Sequence, residues 1–460
     1  MYQELSGPAG EQVIWQTWLT TFAPSRPPSS AILGRRYERQ LRGISSHEPA
    51  SRRRLPCAER TKVPATLGST LPVVHASRQY RHSCHGNDAQ NGRCAEAAPM
   101  PATDTRGNAV PLRPLIEGPA AWVGSDMRER EAEWSYRLST AEIAEIETAV
   151  KRVRALELEI AGIRREDFPL PTLGPVLDRL RGEVLDGRGF ALVRGLPVED
   201  RPVAESAIAY WGIGTYFGSA RSQNAKGHLL GHVYDLGKGL SATNPNLRSY
   251  ATAERQNFHI DRCDVVALLC LRRAKSGGLS SIVSSMAVHN VMAQRRPDLV
   301  SRLYQPFPVD RRGEVPEGKA PFYEAPVFND YAGHVSVLYS RLHIGSAQRF
   351  PEARRLAPED IEALDMLAEL AGDPELRLDM NFMPGDIQFL HNHTILHSRS
   401  AYEDWLEVER KRHLLRLWLS PPGARPLPPV FAECYGSLAI GDRGGIICKG
   451  TLLHVPLTPG

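Results

Sequence analysis

Apolar and polar positions change their period along this chain, and each change predicts a different kind of element. Ile143, Ile146, Val150, Val153, Leu156 and Leu158 recur at helical spacing after Ser139-Thr140-Ala141-Glu142, where Ser139 can cap and Glu142 can reach back. The pattern predicts an amphipathic helix to about Ile160. Further helices are predicted over 173–185, after Pro169 and Pro171, and over 199–216. Between them, the apolar run of residues 189–195 is bounded by glycines, which predicts a short buried strand.

Beyond residue 216 short strands dominate. Residues 265–271 form a continuous apolar run that ends in the turn Ser276-Gly277-Gly278. Strands are also predicted over 281–285, 335–339, 386–390 and 412–419. Helices are predicted over 288–303 and 358–370, the latter with Pro358 in its first turn. Helices gathered early and short strands later predict a mainly β, α+β domain, a sandwich or barrel with flanking helices. No internal repeat is visible.

Residues 1–110 break this pattern. They are rich in Arg, Pro, Ser, Ala and Gly, carry the cluster Arg52-Arg53-Arg54, and show little apolar period after Val13 to Phe22. Such a composition does not offset the entropy of ordering, so the segment is expected to be disordered. It is read either as an accessory extension or as the product of an early start codon, with Met100 or Met127 as the natural start. Residues 111–460 are expected to be one domain, with a helical part over about 134–216.

Charge follows the same division. Residues 1–99 hold 13 Lys and Arg against 7 Asp and Glu, more than the whole chain's net +4, so the main domain is slightly acidic. A nucleic-acid partner is therefore not expected. No apolar run is long enough for a membrane span, and the first residues lack the pattern of a secretory signal. Seven cysteines without C-x-x-C spacing fit reduced thiols and a cytoplasmic protein. A homo-oligomer is left open.

The candidate chemistry lies in three places. His259 and Asp261 form an H-x-D pair in Phe258-His259-Ile260-Asp261. The tripeptide alone is weak, but alternation puts both side chains on one face of an extended segment, as two ligands of one metal require. Downstream, Pro384-Gly385-Asp386 leads into a strand and then into His391, His393 and His397. His391-x-His393 resembles the start of a zinc hydrolase motif, but Ile395 stands where that motif needs aspartate, so His397 is the better third ligand. Two histidines and one carboxylate can occupy one face of an iron(II) octahedron and leave three positions open. Finally, Arg412 and Arg416 lie in an apolar strand, where a guanidinium is costly to bury without an anion and suits a carboxylate.

Taken in order, His259-x-Asp261, Gly277-Gly278 followed by Ser280, Gly385-Asp386, His397, Arg412 and Arg416 resemble the taurine dioxygenase-like (TauD/TfdA) family of iron(II)/2-oxoglutarate oxygenases. The resemblance covers about residues 189–419. It implies a distorted double-stranded β-helix, the clavaminate synthase-like jelly roll. It further implies iron held by His259, Asp261 and His397, with 2-oxoglutarate and O2 as co-substrates and succinate and CO2 as products. By the same match Arg416 would take the distal carboxylate of 2-oxoglutarate, with Ser280 assisting and Arg412 as a supporting charge. Ser281 and Ser285 compete for the hydroxyl role. Retention of Asp261 favours hydroxylation or desaturation of a small organic substrate over halogenation. Arg221, Gln223, Asn224 and Arg262 are candidate substrate contacts, and the stretch His228 to Tyr234 is expected near the metal. The rival expectation is a non-oxidative jelly-roll metal protein, either a zinc hydrolase or a small-molecule binder, which would not need Arg416.

Overall fold

The computed structural model describes residues 113–237 and 249–460; the expectations for residues 1–110 lie outside them. In chain order the first strands are β1 (Ser135–Arg137), β2 (Phe190–Arg194), β3 (Ser219–Ala220), β4 (Leu230–Val233), β5 (Gln256–His259) and β6 (Val265–Arg272). Next come β7 (Ser276–Gly277), β8 (Ser280–Ser284), β9 (Pro306–Asp310), β10 (Phe322–Pro326), β11 (Phe328–Tyr331) and β12 (His334–Val337). The last are β13 (Arg377–Met380), β14 (Ile387–His391), β15 (Ile395–Arg399), β16 (Tyr402–Glu403) and β17 (His413–Ser420).

A 7-stranded major sheet runs β1-β2-β14-β6-β17-β3, with β4 also paired to β17. A 4-stranded minor sheet runs β13-β8-β15-β5. From β5 onward the chain passes repeatedly between the two sheets: β5 is minor, β6 major, β8 and β13 minor, β14 major, β15 minor and β17 major. That alternation is what winds a double-stranded β-helix, and the expected jelly roll is the fold observed.

The long apolar strands are buried on both faces. Val265, Ala267, Leu269, Leu415, Leu417 and Leu419 pack with the helices Thr140–Ala155, Leu173–Leu185 and Val203–Thr215. The alternate residues Val266, Cys270, Leu414 and Trp418 join Ile282, Leu378 and Ile395 of the minor sheet in a second cluster between the sheets. This two-sided burial explains why residues 265–271 read as a continuous apolar run rather than an alternating one.

Most predicted elements form, and the departures have local causes. The capping box is present, with Ser139 Oγ accepting from the Glu142 backbone N–H. Its helix stops at Ala155, and Glu157 takes a left-handed φ of 51°, so residues up to 160 do not extend it. The helix predicted from 199 begins only at Val203, because Pro202 occupies its N-cap. The single helix expected over 288–303 is two, Ser285–Arg295 and Pro297–Leu303. Pro297 excludes helical backbone at Arg296, whose φ is −146°. No helix among the described residues is long and apolar enough to cross a membrane.

One motif proves architectural. Gly385 has a φ of +84°, and a Cβ there would lie 1.9 Å from the Leu196 carbonyl oxygen. Only glycine fits that approach. Asp386 then pairs with Arg194 at 2.6 Å and accepts from the Met383 N–H, fixing the start of β14 beside β2.

Candidate active site

Register in the minor sheet brings the two distant histidines together. His397 of β15 stands directly opposite His259 at the end of β5, and their ring centroids are 4.3 Å apart. Asp261 follows two residues after the strand ends. The Nε2 atoms of His259 and His397 lie 3.8 and 4.0 Å from the Asp261 carboxylate, and one ligand atom from each of the three falls within 4.8 Å of the others. His259 Nδ1 lies 2.8 Å from the Asn257 carbonyl oxygen, which can only accept, so the proton sits on Nδ1 and Nε2 keeps its lone pair. Burial lowers the pKa of both rings, that of His397 to about 3, so both are neutral donors at ordinary pH. Two neutral imidazoles and one carboxylate, all directed at one point, fit a divalent iron.

Asp261 is held on its other side. Its Oδ2 accepts from Trp418 Nε1 at 2.8 Å and from Arg416 Nη1 at 3.2 Å. Burial opposes its charge, but Arg416, the two histidines and the Trp418 N–H together keep it below the ordinary carboxylate range. Gln223 in turn accepts from Arg416 Nε at 2.7 Å and donates to the Arg416 carbonyl. Asn392 accepts from the Asp261 backbone N–H and donates to Cys263, fixing the loop between β5 and β6. Trp418 was missed in the sequence, although alternation along β17 places it on the same face as Arg416. Trp418→Phe keeps the ring and loses the donor. Iron(II) affinity in an anaerobic titration should fall about 10- to 100-fold, the usual cost of losing a hydrogen bond to a ligating group. Unchanged affinity would contradict this role.

A slot of about 40 Å³ runs from Asp261, His397 and Arg416 to Ser280, Arg399 and Arg412, floored by Val266, Leu268 and Leu414. The two arginines take different places in it. Arg416 touches Asp261 and therefore lies at the metal end, while Arg412 lies beside Tyr402 and the Gly278 turn. The three candidate hydroxyls also sit differently. Ser280 lines the slot, Ser281 donates to Asp379, and Ser285 donates to the Thr394 carbonyl. His391 and His393 stay out of the metal cluster, and His393 instead pairs with Asp264 at 2.8 Å.

On the other side of Arg416 opens a cavity of about 400 Å³ whose lining includes Asn224, Lys226, His228, His232, Tyr234 and Glu314. Of the candidate substrate contacts, Gln223 and Asn224 line it, and Gln223 is occupied in clamping Arg416. Arg221 does not line it: its guanidinium is paired with Asp442 at 2.6 Å and bonded to Gly441. Arg262 lines neither cavity.

One wall of this cavity is tied down by a histidine relay. Arg272 donates to His413 Nδ1, so His413 carries its proton on Nε2 and donates to His232 Nδ1 at 2.7 Å. His232 Nε2 then donates to the Pro456 carbonyl. Burial, then the neighbouring His232, push His413 down to about 3. The unfolded chain therefore takes up that proton first. The relay's stabilisation is complete above about pH 6.5 and is lost as the pH falls toward 3, by up to about 1.4 kcal/mol per pH unit. The melting temperature should fall between pH 6.5 and 4.5, and less steeply in His413→Gln; identical slopes would contradict the relay.

Two sheets enclosing a His-Asp-His face beside an arginine-lined slot define a class of oxygenase, and comparison with known proteins identifies the family. The chain belongs to the taurine catabolism dioxygenase TauD, TfdA family, whose model matches residues 153–418. It is an iron(II)- and 2-oxoglutarate-dependent dioxygenase. It is 32% identical over 325 residues to the FR-33289 synthase of Streptomyces rubellomurinus, covering 69% of this chain and 94% of that protein. It is 31% identical over 345 residues to the taurine hydroxylase-like protein SAT17 of Stachybotrys chartarum, covering 71% of this chain and 88% of that protein. Among solved structures, asparagine oxygenase with Fe(II), hydroxyasparagine and succinate aligns at a TM-score of 0.48 and 15% identity, over 62% of this chain and 93% of that one.

Proposed function

We propose that His259, Asp261 and His397 hold the iron, that 2-oxoglutarate lies in the slot toward Arg412 and Ser280, and that a small polar substrate enters the 400 Å³ cavity beyond Arg416. The observation that carries this reading is the convergence of three ligand atoms within 4.8 Å at one end of a slot whose other end is cationic. When bound together, iron(II), 2-oxoglutarate and O2 supply oxidative decarboxylation to succinate and CO2, coupled to oxidation of a substrate C–H bond.

The chain's own residues orient and protect. Trp418 and Arg416 occupy Oδ2 of Asp261 and leave Oδ1 for the metal. Arg416, held by Gln223, stands between the slot and the larger cavity and is placed to meet the metal-proximal carboxylate of the co-substrate. Arg412 and the Ser280 hydroxyl are placed for the distal carboxylate. The apolar floor of Val266, Leu268 and Leu414 excludes water from the chain between them. Because the metal face is a carboxylate with two histidines rather than two histidines alone, hydroxylation or desaturation is the reaction proposed.

The test is succinate release with candidate small polar substrates. Succinate should form only with iron(II) and 2-oxoglutarate both present, and zinc should inhibit. Hydrolytic turnover supported by zinc without 2-oxoglutarate would favour the zinc hydrolase reading instead.

A further inference from the structure

The cationic end of the slot contains a second arginine. Arg399 lies two residues beyond His397 on β15, directly across from Ser280 of β8, so it shares the face of the strand that carries the metal histidine. The guanidinium carbons of Arg399 and Arg412 lie 4.8 and 5.1 Å from the centre of the same Tyr402 ring. Arg399 uses Nη2 on the carbonyls of Thr252 and Glu254, which fixes its orientation. Its Nε and Nη1, and Nη1 of Arg412, are buried without a hydrogen-bond partner. Among the described residues neither arginine forms an ion pair with a carboxylate.

Two neighbouring buried cations with unspent donors, attracted by Asp235 and Asp404 but with neither in ion-pair contact, are an expensive arrangement unless an anion completes it. Tyr402 offsets part of that cost through its ring face, but it carries no charge. We propose that Arg399 is a second guanidinium for the distal carboxylate of the co-substrate, so that this end of the slot is a two-arginine clamp selecting 2-oxo dicarboxylates over 2-oxo monocarboxylates. The inference rests on the placement of 2-oxoglutarate proposed above and adds to it a residue and a selectivity. Arg399 binds and positions; it does not touch the reacting carbons.

The experiment is an anaerobic titration of the iron(II) enzyme with 2-oxoglutarate and, separately, with 2-oxopentanoate, which lacks the distal carboxylate. Binding is read from the weak visible absorption of the chelate, and no turnover is needed. Arg399→Met should weaken 2-oxoglutarate binding about 10- to 100-fold, the range for hydrogen bonds to a charged group, and leave 2-oxopentanoate unchanged. Arg399→Lys, which keeps a cation and is the milder change for folding, should recover part of that loss. Equal weakening of both oxo acids, or a lowered melting temperature with both affinities intact, would make Arg399 an anchor for Thr252 and Glu254 and overturn the proposal. A wild-type enzyme with no absorption for either compound would instead overturn the placement of iron and 2-oxoglutarate itself.

Discussion

Replacing His397 by alanine is expected to abolish succinate formation and to lower iron(II) affinity by more than about 100-fold, since losing an outer partner of a ligand alone costs about 10- to 100-fold. His397 stands across the sheet from His259, and its Nε2 lies 4.0 Å from the Asp261 carboxylate. Two ligands remain in the variant, on a loop that Asn392 and Trp418 still hold. The fold should survive. Removal of a buried histidine whose pKa is pushed to about 3 takes away a group that opposes folding in acid. Circular dichroism and thermal melting of the variant, beside calorimetric iron titration, check both halves. Unaltered iron affinity in a folded variant would contradict the assignment.

Replacing Arg412 by methionine is expected to raise the dissociation constant for 2-oxoglutarate by about two to three orders of magnitude while iron affinity stays the same. Breaking a buried charge pair from one side costs about 3–5 kcal/mol, because the stranded charge loses both water and partner. Arg412 is 4% exposed, has an unpartnered Nη1, and makes no contact with the metal cluster. Arg416→Met should differ in kind. Its guanidinium donates to Asp261, so both iron and 2-oxoglutarate affinities should fall together. Parallel titrations of the two variants separate these outcomes, and a selective loss of 2-oxoglutarate binding in Arg416→Met alone would give Arg416 the distal carboxylate, as the family resemblance implies.

The positions of the two arginines show where reading the sequence stops. Alternation over the predicted strand 412–419 puts residues 412, 414, 416 and 418 on one face, so both arginines were visible as inward candidates, although β17 itself begins at His413. Which one is nearer the metal depends on where the loop carrying Asp261 crosses the sheet, and on the pairing of Arg416 with Leu268 in β6 and with Gly231 in β4. Neither register is local to the chain. The His259–His397 pairing, over a hundred residues apart, was equally hidden, although each residue was picked out separately by its setting. Trp418 and Arg399 were legible in principle, each two residues from a recognised site residue on the same strand. Arg221 and Arg262 look like substrate contacts in the sequence, the first on a polar stretch with Gln223 and Asn224 and the second directly after the H-x-D pair. In the fold Arg221 is occupied by Asp442, and Arg262 lines neither cavity. The helices fared better, since capping, period and proline act within a few residues. Even so, Pro297 was overlooked as a break.

The central claim is that His259, Asp261 and His397 form one iron site with 2-oxoglutarate beside it. Anaerobic addition of iron(II) and 2-oxoglutarate to the wild-type protein should produce a weak visible charge-transfer band that saturates at one iron per chain, and His259→Ala should show none. A band of equal strength in His259→Ala, or none in the wild type, would contradict it.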